Sequence, residues 1–197
     1  MNTYLFLISC LGAYFIGSIP FGYLIAKALG VDIRQVGSGN IGSTNITRAL
    51  GFKWGVVVAI LDFSKSYFSA LITRSLNPYD WQLLLISLMP VIGHIFSVWL
   101  GFKGGKGVAA TFGLVAFYFG FPLYILFVVI WYLAVKTFKF MSLVNLIVGL
   151  LLPLAFWLKY QSAMYIFFGC ILCIIIWWSH RSNIRRLLNG NELHTNY

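Results

Sequence analysis

Long apolar runs broken by short polar clusters set the pattern of this chain. No charged side chain stands between Met1 and Ala26, and runs with few charges cover Ile46–Arg74, Trp81–Leu100, Val108–Val135, Met141–Leu158 and Gln161–Trp178. A helix needs about 20 such residues to cross the hydrocarbon of a bilayer. The pattern therefore predicts an all-α, polytopic integral membrane protein. Asn77-Pro78 marks a turn between the second and third helices. The run Val108–Val135 is long for one crossing and short for two, and Gly120-Phe121-Pro122 divides it.

Charge decides what length leaves open. If Val108–Val135 crosses once, the basic tail His180–Arg186 lies opposite Arg34, Lys103 and Lys106; if it crosses out and back, the basic clusters share one side. The positive-inside rule selects two crossings. The expected architecture is seven transmembrane helices, two of them short, with the N-terminus outside and the C-terminus cytoplasmic. Lys27, Arg34, Arg48, Lys53, Lys103, Lys106, Lys136, Lys139, Arg181, Arg185 and Arg186 then face the cytoplasm, and Arg74 and Lys159 the outside. Ala26-Lys27-Ala28 resembles a signal-peptidase site, but Lys27 stands at the wrong end of its run for a leader, so the first helix is expected to stay uncleaved.

Composition agrees: 60% of the 197 residues are hydrophobic and 9% charged, against about a quarter charged in soluble domains. A single membrane-embedded domain over residues 1–197 is expected, so any active site must be built from loops and helix ends. The net charge of +10 does not point to nucleic acid, because apolar runs separate the charges. Cys170 and Cys173 form a C-x-x-C inside an apolar helix without a βαβ context, and read with Cys10 as small packing residues.

Three polar clusters carry the candidate chemistry. The first is Gly37-Ser38-Gly39-Asn40-Ile41-Gly42-Ser43-Thr44-Asn45. Its G-x-G-x-x-G is not a dinucleotide fingerprint, which needs a strand before it. A glycine turn opening onto a helix nevertheless suits an anion, and Arg48 lies one turn inside that helix. In the second, His94 precedes Gly101-Phe102-Lys103-Gly104-Gly105-Lys106-Gly107. This is no Walker A loop, since Gly107 stands where Ser or Thr is required. Glycines let backbone N–H groups converge on a phosphate, and lysines add point charges; His94 reads equally as a structural or a functional residue. The third runs from His180 to Arg186, with His180 and Asn183 on one helical face, and reads as a topology anchor or as part of the site. Asp62 and Lys65, one turn apart at membrane depth, either pair structurally or leave Asp62 to orient a basic group of the site.

Placed on one membrane face, the clusters offer Ser, Asn, His, Lys and Arg with almost no carboxylate. That set binds phosphates, and holds no metal-ligand cluster or Ser-His-Asp arrangement. Positioning and charge stabilisation of an already activated phosphate compound is the expected chemistry. A transporter with an anion-binding vestibule competes with this reading, but no internal repeat of the transporter kind is evident.

Gly37–Asn45, Gly93-His94 with Gly101–Val108, and His180-Arg181-x-Asn183-Ile184-x-Arg186-Leu187-x-x-Gly190-x-Glu192 closely resemble the three motifs of the bacterial acyl-phosphate:glycerol-3-phosphate acyltransferase family, the PlsY family. Ser43 stands where the family usually has Ala, and Ala110 where Thr is common. The resemblance spans the chain. It implies a multi-pass bacterial inner-membrane enzyme, with its site facing the cytoplasm, that moves an acyl group from acyl phosphate to the 1-hydroxyl of sn-glycerol 3-phosphate. The products are 1-acyl-glycerol 3-phosphate and phosphate, the first acylation of phospholipid synthesis. No cofactor or metal is implied; the partners are both substrates, the bilayer and the enzyme that makes acyl phosphate. The H-x4-D motif of other glycerolipid acyltransferases is absent, with Trp99 following His94 and Arg185 following His180 at that spacing.

The catalytic set so implied is Ser38, Arg48, Lys106, His180 and Asn183. Gly37, Gly39, Asn40, Gly42, Thr44, Asn45, His94, Lys103, Gly104, Gly105 and Gly107 form the phosphate-binding set. Ser38, the first loop and Lys106 are expected to hold phosphate groups, while Arg48, His180 and Asn183 orient glycerol 3-phosphate. The attacking hydroxyl loses its proton to a substrate phosphate, with His180 or His94 as the rival base.

Overall fold

Pro20 ends the first helix early. In this computed structural model, which describes residues 1–195, the apolar N-terminal run is two helices, α1 (Thr3–Ser18) and α2 (Phe21–Ala28). Proline lacks the N–H that would continue α1 and keeps Ile19 out of helical geometry. The second predicted helix is also divided. Gly51, at φ +91° and ψ 165°, separates α3 (Ser43–Leu50) from α4 (Phe52–Ser75), a conformation that only glycine adopts cheaply. α5 (Asp80–Ile95) carries Pro90 inside it, and α6 (Val108–Phe119) follows the glycine–lysine loop.

Close backbone packing holds these elements together. Gly17 lies against the Pro90 backbone, and Gly93 against the backbone of Tyr14, Gly17 and Ser18, so a methyl group at either would force α1 and α5 apart. Two polar ties reinforce the pair: the Tyr14 hydroxyl donates to the Phe96 carbonyl at 2.8 Å, and the Ser97 hydroxyl to the Ser18 carbonyl at 2.6 Å. Gly55 of α4 meets Thr47 of α3, and Gly113 of α6 meets the Phe63 carbonyl of α4. Ala26, Ile33, Ile41, Ile46 and Val58 form a buried apolar cluster.

These elements make one compact unit, Met1–Phe117; a second begins at Tyr118. The second contains α7 (Phe121–Phe138), α8 (Met141–Tyr160), α9 (Ala163–Ser179) and α10 (Arg181–Leu188). Gly169 of α9 packs on the backbone of Leu152 and Pro153 in α8, and Gly149 of α8 on Ile176 of α9. The division at Gly120, expected from sequence, is present at φ +81°. Its chemistry is local: the Tyr118 carbonyl would be met in a continuous helix by the N–H of residue 122, which is a proline. Lys159 Nζ and the Tyr160 hydroxyl donate to it instead, each at 2.6 Å.

Leu123, Ile125, Leu126, Val129, Ile130 and Leu133 of α7 are exposed, the inverse of a water-soluble surface and the distribution hydrocarbon favours. Among the described residues, Thr3–Ala28, Phe52–Ser75, Asp80–Leu100, Phe121–Phe138 and Met141–Tyr160 have the length and hydropathy to cross a membrane. The pair Ala163–Ser179 and Arg181–Leu188, bent by 61°, makes a sixth candidate. Val108–Phe119 is apolar but has only 12 residues. The fold is thus an all-helical integral membrane protein with five or six candidate spans.

Candidate active site

Asn45 organises the first glycine loop from inside. It is 1% exposed, its Nδ2 donates to the carbonyls of Val36 at 2.8 Å, Asn40 at 2.9 Å and Ile33 at 3.3 Å, and its Oδ1 accepts the Ser38 N–H at 3.0 Å. Gly37 and Gly39 have φ of +58° and +69°, and a side chain at Gly37 would strike Asn45 Oδ1. Asn40 Oδ1 accepts the Gly42 N–H at 2.8 Å, and Gly39 N–H donates to the Val36 carbonyl at 3.0 Å. The N–H groups of Ser38, Gly39 and Gly42 therefore close the loop on itself. What the loop presents is the half-buried Ser38 side chain, Thr44 at the start of α3, and exposed Arg48 in the last turn of α3.

The second loop is folded onto the end of α5. Gly104 N–H donates to the Ile95 carbonyl and Gly105 N–H to the His94 carbonyl, both at 2.9 Å, while Lys103 N–H donates to Leu100 at 3.2 Å. A side chain on Gly105 would run into the His94 ring at Nε2, and Gly107, at φ +79°, rests on the side chains of Ile95 and Val91. Lys103 is exposed; half-buried Lys106 stands two residues before α6, at an end of a helix that favours anions.

Beneath that loop lies a group of ionisable side chains. Asp62 and Lys65 of α4, with side chains 3% and 2% exposed, form the ion pair that their spacing allowed, 2.9 Å apart. Lys65 Nζ also lies 2.8 Å from His94 Nδ1 and donates to the Ile19 carbonyl at 3.3 Å, while Asp62 Oδ1 is 3.4 Å from His94 Nδ1.

In the second unit the hub is Glu192. Its Oε1 accepts from Asn183 Nδ2 at 2.6 Å and from the Ser142 hydroxyl at 2.9 Å, and its Oε2 from Arg186 Nε at 2.8 Å. Burial pushes this carboxyl up, but the bonds from Asn183, Arg186 and Ser142, with the Arg186 charge, outweigh it and hold the group below the usual glutamate range. The same tail is tied to the start of α8: Thr195 N–H donates to the Lys139 carbonyl at 2.9 Å, and Met141 N–H to the Thr195 hydroxyl at 3.3 Å. Asn183 Oδ1 is buried with no hydrogen-bond donor on it among the described residues. His180 is 1% exposed, with Nδ1 2.8 Å from the Ile176 carbonyl. A carbonyl only accepts, so Nδ1 carries a proton.

Glu192 and Ser142 are the residues whose roles sequence reasoning missed. Glu192 stood in the third motif without a task; the signal was its rarity, as the chain has four Asp and Glu in all. Among the described residues no group of three or more His, Cys, Asp or Glu side chains is gathered closely enough to hold a metal ion.

The glycerol-3-phosphate acyltransferase family model matches residues 7–190. A glycerol-3-phosphate acyltransferase of Aquifex aeolicus (strain VF5) is 42% identical over 182 residues, covering 91% of this chain and 94% of that protein. One from Carboxydothermus hydrogenoformans is 40% identical over 187 residues, 94% of this chain and 94% of its own length. The crystal structure of PlsY (YgiH), an integral membrane glycerol 3-phosphate acyltransferase, in its glycerol 3-phosphate form, superposes with a TM-score of 0.90 at 38% identity, covering 97% of this chain and 96% of that one. Its lysophosphatidic acid form gives 0.87 at 37%, covering 97% and 95%.

Proposed function

The chain belongs to the glycerol-3-phosphate acyltransferase family, and from that premise we propose how its residues divide the reaction. It is an integral membrane glycerol-3-phosphate acyltransferase whose product is lysophosphatidic acid, an enzyme of phospholipid synthesis. The acyl donor we assign is acyl phosphate. The 1-hydroxyl of sn-glycerol 3-phosphate attacks the acyl carbonyl, an ester bond forms, and the bond from carbonyl carbon to phosphate oxygen breaks to release inorganic phosphate.

Phosphate is a good leaving group once its charge is met, so the site's main task is neutralisation and alignment. Lys106 and Ser38 take the phosphate groups, with the first loop shaping the pocket around Ser38. Because N–H groups of that loop are spent on its own closure, side chains rather than backbone carry the charge there. Arg48 takes the phosphate of glycerol 3-phosphate, while His180 and Asn183, the latter through its Oδ1, orient its hydroxyls. The proton leaves to a substrate phosphate oxygen; His180 is the rival base.

The enzyme crosses the bacterial inner membrane seven times, the six candidate spans plus short α6, with both units acting as one acyltransferase domain and its site facing the cytoplasm. The enzyme that makes acyl phosphate is a partner in the same membrane. The observation that carries the phosphate assignment is Lys106 delivered to the start of α6 by a loop pinned on α5. Purified protein in detergent, given acyl phosphate and glycerol 3-phosphate, should release phosphate and form lysophosphatidic acid without vesicles. Lys106→Met should lower kcat at least a hundredfold; a variant turning over at the wild-type rate removes Lys106 from the reaction.

A further inference from the structure

The buried group under the second loop has a proton arrangement that its geometry dictates. Lys65 Nζ makes hydrogen-bond contacts with His94 Nδ1 at 2.8 Å and the Ile19 carbonyl at 3.3 Å, and forms an ion pair with Asp62 Oδ1 at 2.9 Å. Two donors cannot face one another at 2.8 Å, so either Lys65 or His94 Nδ1 lacks a proton. Lysine is much the stronger base and has the carboxylate beside it, so the proton stays on Lys65. Asp62 Oδ1, 3.4 Å from Nδ1, is beyond good hydrogen-bond range and does not compete. His94 Nδ1 therefore accepts, and the ring's one proton sits on Nε2, which faces Gly105.

We propose that Lys65, held by Asp62, locks His94 as the uncharged Nε2–H tautomer. A hydrogen-bond donor then underlies the Gly104–Gly107 loop, and Lys106 is aligned for the leaving phosphate. Lys65 and Asp62 are positioning residues in this scheme and touch neither substrate. The proposal rests on the reading that Lys106 handles phosphate. Without Lys65, the nearest acceptor for the ring is Asp62; the proton moves to Nδ1, and a lone pair replaces the donor beneath an anion-binding loop. His94 is thereby excluded as the general base, because its basic nitrogen is engaged by Lys65.

The test uses full-length enzyme in detergent with its three histidines 15N-labelled, the His94 signals being assigned by their loss in His94→Asn. Near neutral pH, wild-type His94 should show a protonated Nε2 and an unprotonated Nδ1. A protonated Nδ1 in the wild type overturns the proposal, whether or not any variant folds. In Lys65→Met the proton should move to Nδ1, and the inhibition constant of inorganic phosphate should rise at least tenfold while KM for glycerol 3-phosphate stays within about twofold. A general structural defect would not make that split, and Lys65→Met with wild-type inhibition and tautomer refutes the idea. Lys106→Met separates premise from proposal. If it is inhibited by phosphate like the wild type, the premise fails and the functional half of the proposal falls with it. If it loses inhibition while Lys65→Met keeps it, the proposal alone fails.

Discussion

Glu192 shows how much a single side chain does when carboxylates are scarce. It ties Asn183 and Arg186 of α10 to Ser142 of α8, so the orientation of Asn183 depends on it. Glu192→Gln can keep its one oxygen for Asn183 and Ser142 only by turning its amide donor toward Arg186. The loss should be about 1–2 kcal/mol, below the usual value for a charge-assisted bond because Arg186 is part exposed. Glu192→Ala removes all three contacts and should cost more. The pH dependence has a definite sign. The folded carboxyl titrates below its unfolded value, so the unfolded chain binds the proton first and the stabilisation is present above about pH 4.3, the ordinary glutamate value. It is lost as pH falls through the lower folded value. Thermal unfolding from neutrality to about pH 3 should find a constant gap between wild type and Glu192→Gln that closes only at the acid end; a gap that widened in acid would contradict the scheme. Asn45 gives the matching lesson on legibility. Its position after a glycine turn reads as a cap or a ligand, yet its partners Ile33, Val36 and Ser38 lie upstream of the helix it belongs to, where no local pattern points.

The helix breaks show which sequence signals survive at the level of elements. Gly120-Phe121-Pro122 was legible as a break because the sidedness of the basic clusters required its run to cross twice, whereas no such charge argument bore on Pro20 and Gly51, which were read through. Membrane helices tolerate proline and glycine when neighbours satisfy the freed groups, so the residue alone does not decide. The neighbour decides. At Gly120 the neighbours are Lys159 and Tyr160, both on the Tyr118 carbonyl. Either donor alone keeps that carbonyl paired, so Lys159→Met and Tyr160→Phe singly should each cost under about 1 kcal/mol, while together they should cost about 1–3 kcal/mol, the range for a buried unpaired polar group. Denaturation in detergent of the two singles and the double measures this directly. Additive small losses would mean that the carbonyl finds another partner.

At the scale of the whole molecule the legible quantity is the distribution of charge, and it makes a topological commitment that helix lengths leave open. Lys27 ends the first span and Arg74 ends the second long one, so the two should lie on opposite faces. α6 has 12 residues, short of the roughly 20 that a crossing ordinarily takes. If α6 and α7 nevertheless cross separately, Lys136, at the end of α7, and Arg181, at the start of α10, return to the side of Lys27. If Val108–Phe138 counts as one crossing, both fall on the side of Arg74. The positive-inside rule favours the first arrangement, since the second would divide the basic clusters between the two faces. Lys27, Arg74, Lys136 and Arg181 are all exposed, so single cysteines there, in a protein whose Cys10, Cys170 and Cys173 are replaced by alanine, report the answer through a membrane-impermeant maleimide. In intact cells stripped of their outer layers, only the cysteine at 74 should react; in inverted vesicles, those at 27, 136 and 181 should. Labelling of 136 and 181 together with 74 would make α6 and α7 one span and overturn the seven-crossing topology.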